Sequence, residues 1–436
     1  MKRNYDMRNS LRASWRLLLV FGLAGGAAGC DSLLDVDNPA TIAAEDLNNT
    51  DVVDNLVNGV VSRFQFMYDD LALNSAIITD EAVTGHNFET VQRVDLRRVT
   101  KENSDIYAPL QLTRAAADSF EVRLVRLMPD SAARHLGVAR VQAYGSMTYT
   151  LMGEFLCDAP VDPTQGAVPS DSLFRLAINR ANRAIATVTA YRAATGASAV
   201  RADSVLNLAR LSAARAHLNL GEKAQAAAFA SQVPLSFEIR SHYDVNNSNN
   251  IFFTSVAGTN RNLGVDVAFR GLNDPRVRFN TAGGTGHDQA TILFAPLLAP
   301  SFGGYSAGGA PNTQAYLRET SIRFASGLEA RYIVAEAEGA TAANVQFINT
   351  RRAIGGQPAL VSPTQADFLA ALQDQRRRDF FLDGHRQGDL RRYIRLYNQN
   401  YYPTGTHPNA ARGAYGTDTC FVPTQAEIVG NPGYNP

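Results

Sequence analysis

Apolar residues recur every three to four positions over most of this chain, the spacing of an amphipathic helix. Val52, Leu56, Val60 and Phe64 repeat every four residues and predict a first helix within 40–70. Two more helices are expected over 109–129 and 132–156, with Val141, Tyr144, Thr148 and Leu151 on one face of the second. Segments 171–193, 200–220 and 223–233 continue the pattern. Leu206, Ala209, Ala213, Ala216 and Leu220 form one stripe, and Ala224, Ala227, Ala228 and Ser231 another. Gly221 separates those two helices and Pro234 stops the second. A further helix pair is expected over about 327–353, and a helix from 364 continues the stack.

Small residues on the facing stripes let helices approach closely, and LARLSAARAHLNLGEKAQAAAFASQVP resembles a degenerate tetratricopeptide repeat. Residues 235–320 break the pattern. They are rich in Asn, Gly, Ser and aromatics and read as short strands and long ordered loops. The expected fold is mainly α: a tetratricopeptide-like helical-repeat scaffold, an α-α superhelix, with a loop-rich insertion and a few short strands. The expected division is a signal at 1–29, helical repeats at 30–234, the insertion at 235–320 and a C-terminal region at 321–436. Long loops on a rigid scaffold are where binding function sits.

Charge is densest in FLAALQDQRRRDFFLDGHRQGDLRRY, residues 368–393. Charged residues beside Phe380, Phe381 and Leu382 predict buried ion pairs, because buried charge is tolerated when paired. Arg376, Asp379, Asp383, Arg386 and Asp389 are the expected members. No catalytic constellation accompanies them. Asp80 and Glu81 are adjacent, so their side chains point apart rather than flanking a glycosidic bond. The histidines show no ligand spacing, His217 reads as packing, and GGTG at 283–286 lacks a following Lys-Ser/Thr. No metal or cofactor is expected, and no enzyme.

The N-terminus carries Lys2, Arg3, Arg8, Arg12 and Arg16, a short apolar core from Leu17 to Leu23, and small residues ending at Cys30. This is a cleaved signal rather than a membrane span, and it resembles a lipobox with Cys30 as the lipidated residue. Removing 1–29 takes five basic residues and Asp6 from 41 of each sign, leaving 36 basic and 40 acidic residues and a net charge of −4. That balance gives no footprint for nucleic acid. Cys157 and Cys420 remain, an even count in an oxidising compartment, and a bridge between them is expected.

Several blocks resemble the SusD/RagB-like family of outer-membrane nutrient-binding lipoproteins. Gln375-Arg376-Arg377-Arg378-Asp379-Phe380, Asp383-Gly384-His385-Arg386 and Asp389-Leu390-Arg391-Arg392 follow its C-terminal signature. Glu329 to Ala337 resembles its Glu-x-x-Leu-Ile-x-Ala-Glu-Ala helix, and Asn349-Thr350-Arg351-Arg352 its Asn-x-Ile-Arg-x-Arg. Ile78-Thr79-Asp80-Glu81 and the closing Phe421-Val422-Pro423, Glu427 and Asn431-Pro432 also match. The resemblance implies a lipid-anchored protein on the outer membrane, facing the cell surface. It would bind an oligomeric nutrient, a glycan before a peptide, and deliver it to a TonB-dependent transporter. The other reading is a helical-repeat scaffold for envelope proteins without a small ligand; the insertion favours binding.

Loop aromatics stack on sugar rings or hold peptides. Phe302, Tyr305, Tyr316 and His287 are the candidate ligand residues, with Phe88 and Tyr401 behind them. The lone Trp15 lies in the signal, so sugar stacking falls to Phe and Tyr. The processing signal predicts that mass spectrometry of the native N-terminal peptide will find Cys30 first and acylated. An unmodified peptide starting upstream would overturn this.

Overall fold

The computed structural model describes residues 49–431 except 104, 163–164, 195–198, 247–249, 257–260 and 299–314. Cys30, Phe302 and Tyr305 lie outside the described residues. Asn49 to Val52 form a short turn of their own, and residues from Val53 onward form one compact unit.

Most helices form within a few residues of where the apolar spacing places them, but the first continues past the expected end at 70 to Ile78. The first, α1 (Val53–Ile78), buries Leu56, Val60, Phe64 and Leu71 on one side, and its last turn is buried all round. After a short strand β1 (Ala82–Thr84) and helix α2 (Glu89–Asp95) come α3 (Tyr107–Leu127) and α4 (Leu136–Phe155). The strands β2 (Asp158–Ala159) and β3 (Val168–Pro169) then lead to α5 (Ser170–Arg192), α6 (Ala199–Asn219) and α7 (Lys223–Ala230). Consecutive helices from α3 to α7 pack as neighbours, and α4 also meets α6. This is the antiparallel stacking that short connections impose. α4 is buried along most of its length, and α5 comes close beside Gly153: a Cβ there would sit 2.5 Å from the Phe174 ring.

Gly221, at φ 79°, closes α6. The Glu222 amide donates to the His217 carbonyl at 2.9 Å and the Gly221 amide to that of Leu218 at 3.0 Å, a Schellman motif. His217 is packing, as its place on α6 suggests: it stacks on Phe229 and meets Glu222. Ala209, Ala213 and Ala216 are fully buried, but the expected stripe on α7 is wrong. Ala226 and Ala230 face the core, while Ala224, Ala228 and Ser231 are exposed. An alanine-rich helix has too little hydrophobic contrast for its spacing to reveal the buried side.

The insertion begins at β4 (Glu238–Ser241) and contains α8 (Ile251–Val256), β5 (Leu263–Val265), α9 (Val267–Arg270), β6 (Gly284–Thr285) and β7 (Ile292–Leu293). It returns at β8 (Ile322–Ser326). Two antiparallel pairs tie it down, β1 with β5 and β4 with β8; β6 pairs with β7 within it, and β2 with β3 between α4 and α5. β4 and β8 bring both ends of the insertion to one place on the scaffold.

The C-terminal helices are α10 (Gly327–Glu338), α11 (Ala342–Ile354), α12 (Gln365–Asp379), α13 (Arg386–Tyr397) and α14 (Gln425–Gly430). Ser326, Thr341 and Thr364 cap the first three, and Thr364 with Asp367 makes a capping box. Cys157 and Cys420 are joined by a disulfide, with Cα atoms 5.1 Å apart. The Cys157 amide donates to the Phe421 carbonyl at 3.0 Å, so covalent and hydrogen bonds together hold the tail against the end of α4.

The charged stretch is buried and paired. Arg376 meets Asp389 at 2.7 Å, and Arg392 meets both Asp389 and Glu336 at 2.9 Å. Glu329 faces His385 at 3.1 Å, Arg215 at 3.5 Å and Arg376 at 3.9 Å. Arg215 also pairs with Glu154 at 2.5 Å, and Asp383 meets His385 at 2.7 Å and Arg323 at 3.3 Å. These contacts form one closed group of ten buried side chains: Glu154, Glu329, Glu336, Asp383 and Asp389 against Arg215, Arg323, Arg376, Arg392 and His385. Its charge balances only when His385 is protonated. Burial pushes the His385 pKa down, but Asp383 and Glu329 outweigh it and hold it above the ordinary 6.5. Burial pushes Glu329 up, and His385 and Arg215 outweigh it, holding it at about 2. Asp379 lies next door, meeting Arg276 at 3.0 Å and Arg351 at 2.5 Å.

Removing one partner from such a group leaves an uncompensated buried charge. His385→Ala is expected to destabilise by roughly 3–5 kcal/mol in urea unfolding. Because the folded pKa of His385 is raised, its contribution is complete below about pH 6.5 and is lost as pH rises through the folded value. Wild-type stability should therefore show a fall above pH 6.5 that His385→Ala lacks. Equal slopes would overturn the charge assignment.

Candidate functional site

The site is built where α1 hands over to β1. At that turn Asp80 grips Arg386 through two hydrogen bonds of 2.7 Å, and Glu81 Oε1 accepts the Leu382 amide at 2.8 Å. The adjacent carboxylates are thus both buried anchors. β1 then runs against β5 and is followed by Gly85. A Cβ on Gly85 would lie 2.7 Å from Leu293 and 2.8 Å from the Gly286 Cα, so only glycine lets this loop touch the β6–β7 hairpin. Backbone bonds fasten three loops together there. The Gly85 amide donates to the Asn262 carbonyl at 2.9 Å, Asp288 to Gly85 at 2.8 Å, and His287 to Arg261 at 3.0 Å.

Side chains lock the same joint. The Asp288 carboxylate accepts from the Thr291 hydroxyl at 2.6 Å and from Arg412 at 2.7 Å. Burial works to raise its pKa; the Thr291 hydrogen bonds and Arg412 outweigh that and hold it below the usual carboxylate range. Arg412 also donates to the Thr84 carbonyl at 2.9 Å. Asp95 accepts the Thr84 amide at 3.0 Å and meets His407 at 3.0 Å. His407 is committed on its other side too, since its Nδ1 accepts the Asn409 amide at 3.0 Å.

On this base sits a small ring cluster. The His86 and Phe88 rings are 4.4 Å apart, and the His287 ring stands edge-on to His86 at 6.4 Å. Phe88 is 63% exposed, unusual for so large an apolar side chain, and His287 is exposed beside it. His86 Nδ1 accepts the Phe88 amide at 3.0 Å, which leaves Nε2 to carry the proton. Burial first, then His287 and Arg412, pushes the His86 pKa below 6.5, so the ring is neutral at pH 7. The exposed Arg261 covers the hairpin at Gly284. An exposed aromatic face with imidazole and guanidinium donors can stack on a ring and hydrogen-bond its substituents. It offers no nucleophile with an oriented base. Among the described residues no group of three or more His, Cys, Asp or Glu converges as metal ligands would.

Of the residues expected from sequence to meet ligand, Phe88 and His287 come together here. Tyr316 does not. It is 2% exposed, stacks on Phe252 at 5.5 Å and donates to the Leu297 carbonyl at 3.4 Å, so its aromatic bulk fills the interior of the insertion. Tyr401 is partly exposed but belongs to another place, edge-on to Tyr393 and donating to Gln373 at 3.1 Å. His86, Arg261 and Arg412 were missed. The one local signal for His86 is its place two residues before Phe88 in the same loop. Arg261 and Arg412 are distant in sequence and gave none.

No family model matches the sequence, and no curated protein matches it. Solved structures do match in fold. A SusD-like carbohydrate binding protein from Bacteroides vulgatus aligns at TM-score 0.60 and 13% identity, covering 88% of this chain and 96% of its own. A laminarin binding SusD-like protein aligns at TM-score 0.60 and 15% identity, covering 87% and 99%. A SusD/RagB family protein from Bacteroides thetaiotaomicron aligns at TM-score 0.59 and 13% identity, covering 87% and 94%. The fold of this chain is the SusD-like fold.

Proposed function

We propose that this chain is a SusD/RagB-like nutrient-binding lipoprotein that takes an oligomeric sugar at the surface around Phe88. The observation that carries the reading is the exposed Phe88 ring, held against His86 and beside His287 on a joint fixed by three loops. An exposed ring held in place by a neighbouring ring presents a face on which a sugar can stack. Structures of the same fold include proteins described as carbohydrate binding and laminarin binding, which supports sugar before peptide. The protein acts without catalysis: it binds and releases.

The remaining parts of the reading rest on the family resemblance. Cys30 carries the lipid and holds the protein on the outer membrane, facing outward. A TonB-dependent barrel receives the sugar. The anchor raises the effective concentration of that barrel without new contacts.

Binding is tested on the purified chain with a glycan array that includes β-glucan oligosaccharides, followed by calorimetry on whichever glycan is retained. Phe88→Ala should weaken that glycan by ~1 kcal/mol or more, several-fold in Kd, with thermal stability unchanged. Retention of no glycan, or equal affinity of wild type and variant, would sink the site assignment. The partner is tested separately. Gentle detergent extraction from cells that also express a neighbouring TonB-dependent barrel should bring the two down together, and recovery of the protein alone would count against delivery.

A further inference from the structure

The charges next to the ten-membered group do not balance. Asp379 meets Arg276 and Arg351, and Arg276 also meets Asp274 at 2.7 Å. Arg378 joins Asp274 to Asp374 at 3.0 Å each, and Arg377 ends the set on Asp374 at 2.8 Å. Four arginines thus stand against three aspartates, and one positive charge is left over among the described residues. No side chain of the set is more than 24% exposed, so water screens the excess poorly. A monovalent anion would cancel it.

A small opening lies at the Arg377 end of the set. It measures about 130 Å³ and is lined by Ala370, Gln373, Asp374 and Arg377 of α12, Arg386 of α13, and Tyr401. Most of its polar groups are already committed. Asp374 Oδ1 accepts from Arg377 and Arg378, and Oδ2 accepts from Gln357, Gln375 and Arg378. Gln373 accepts from the Tyr401 hydroxyl at 3.1 Å and donates to Gln399 at 2.7 Å. Two guanidinium nitrogens remain. Arg377 gives Nε and Nη2 to Asp374, and Arg386 gives Nε and Nη2 to Asp80. Neither Nη1 takes an acceptor among the described residues. Arg386 is only 4% exposed, yet its Nη1 is not sealed from solvent, and this opening is one that Arg386 lines.

Both guanidinium groups pack over the buried Phe269 ring, their central carbons 5.4 and 5.8 Å from its centre, so one support holds them. Asp80 is matched by Arg386 itself, and burial favours the neutral form of Glu81 nearby, so neither supplies the missing negative charge. Free N–H groups on two fixed planar cations suit the two oxygens of a carboxylate. Its single charge equals the excess, whereas a phosphate dianion would exceed it. The partly exposed Tyr401 ring and the Ala370 methyl offer the rest of a small ligand apolar surface. The volume is well below the roughly 300–1,000 Å³ of pockets that enclose a drug-sized molecule, which leaves out an oligosaccharide. We infer that this pocket binds the carboxylate of a small monoacid between Arg377 and Arg386. A short aliphatic acid and a single sugar acid present the same group. The site shares no residue with the ring cluster and does not rest on the sugar reading.

The test uses the purified full chain in detergent and saturation-transfer NMR with butyrate and, separately, glucuronate, with sodium chloride holding the ionic strength. At least one acid should bind saturably, and which one does so identifies the source of the carboxylate. Butanol and butylamine should not bind. Arg377→Gln removes one free nitrogen together with the excess charge, and should weaken binding by about tenfold or more. Ala370→Glu breaks no ion pair and puts a carboxylate of the chain's own at the opening; it should weaken binding as much, with Tm and glycan affinity unchanged. Binding of neither acid, or wild-type affinity in either variant, would overturn the inference. So would tighter binding of inorganic phosphate than of either acid, since the pocket would then be a phosphate site.

Discussion

Ten buried charges on five helices, one strand and one turn set the frame of this protein. Glu154 comes from α4, Arg215 from α6, Glu329 and Glu336 from α10, Arg323 from β8, Arg376 from α12, Asp383 and His385 from the turn after it, and Asp389 and Arg392 from α13. Removing that many ions from water is costly, and their attraction offsets the cost only when each has its partner in place. Aliphatic packing would tolerate a small slide of one helix past another. This group does not, because a slide of one residue turns a carboxylate away from its arginine. Its value is therefore in fixing position more than in adding stability.

That fixed position is passed outward to the site through two contacts. The turn between α12 and α13 holds Leu382 at φ 62° and Gly384 at φ 91°, a conformation that glycine adopts freely and leucine does not. The group's own His385 and Asp383 pin this turn from inside. Its outer side presents the Leu382 amide to Glu81 and the Arg386 guanidinium to Asp80. Those residues lead directly into β1, and the loop after β1 carries His86 and Phe88. The strained leucine is held by contacts on both sides, so the buried charges and the exposed rings belong to one rigid path.

Much of this frame is legible in the sequence, because helices announce themselves by spacing. The helices from Tyr107 to Asn219 fall within a few residues of where apolar periodicity places them. The density of Arg and Asp beside Phe380 and Phe381 is legible as ion pairing for the same local reason. What the spacing does not show is which distant residue completes each pair. Glu154 and Arg215 lie on different helices that carry other polar residues, and nothing in their spacing marks them as partners, yet they are buried against each other. The site has the same limit. Phe88 and His287 can be picked out as an aromatic and a histidine in loops, but nothing local says that they lie around one histidine. Tyr316 shows the converse: its loop composition suggested a surface residue, and three-dimensional packing buried it.

The arrangement also bears on how a binding protein can stay rigid and still let go. A site carved into a helical core would have to open the core to release its ligand, against the buried charges. Here the ring cluster stands outside the core on β1 and the β6–β7 hairpin, which are held by backbone hydrogen bonds and by Arg412. Under the proposed function, a sugar would be held mainly by one exposed face rather than enclosed, so release need not open the core. The disulfide at the end of α4 and the charges at the base of α13 keep the scaffold beneath that surface fixed. Rigidity is invested in placing Phe88 rather than in enclosing what it binds.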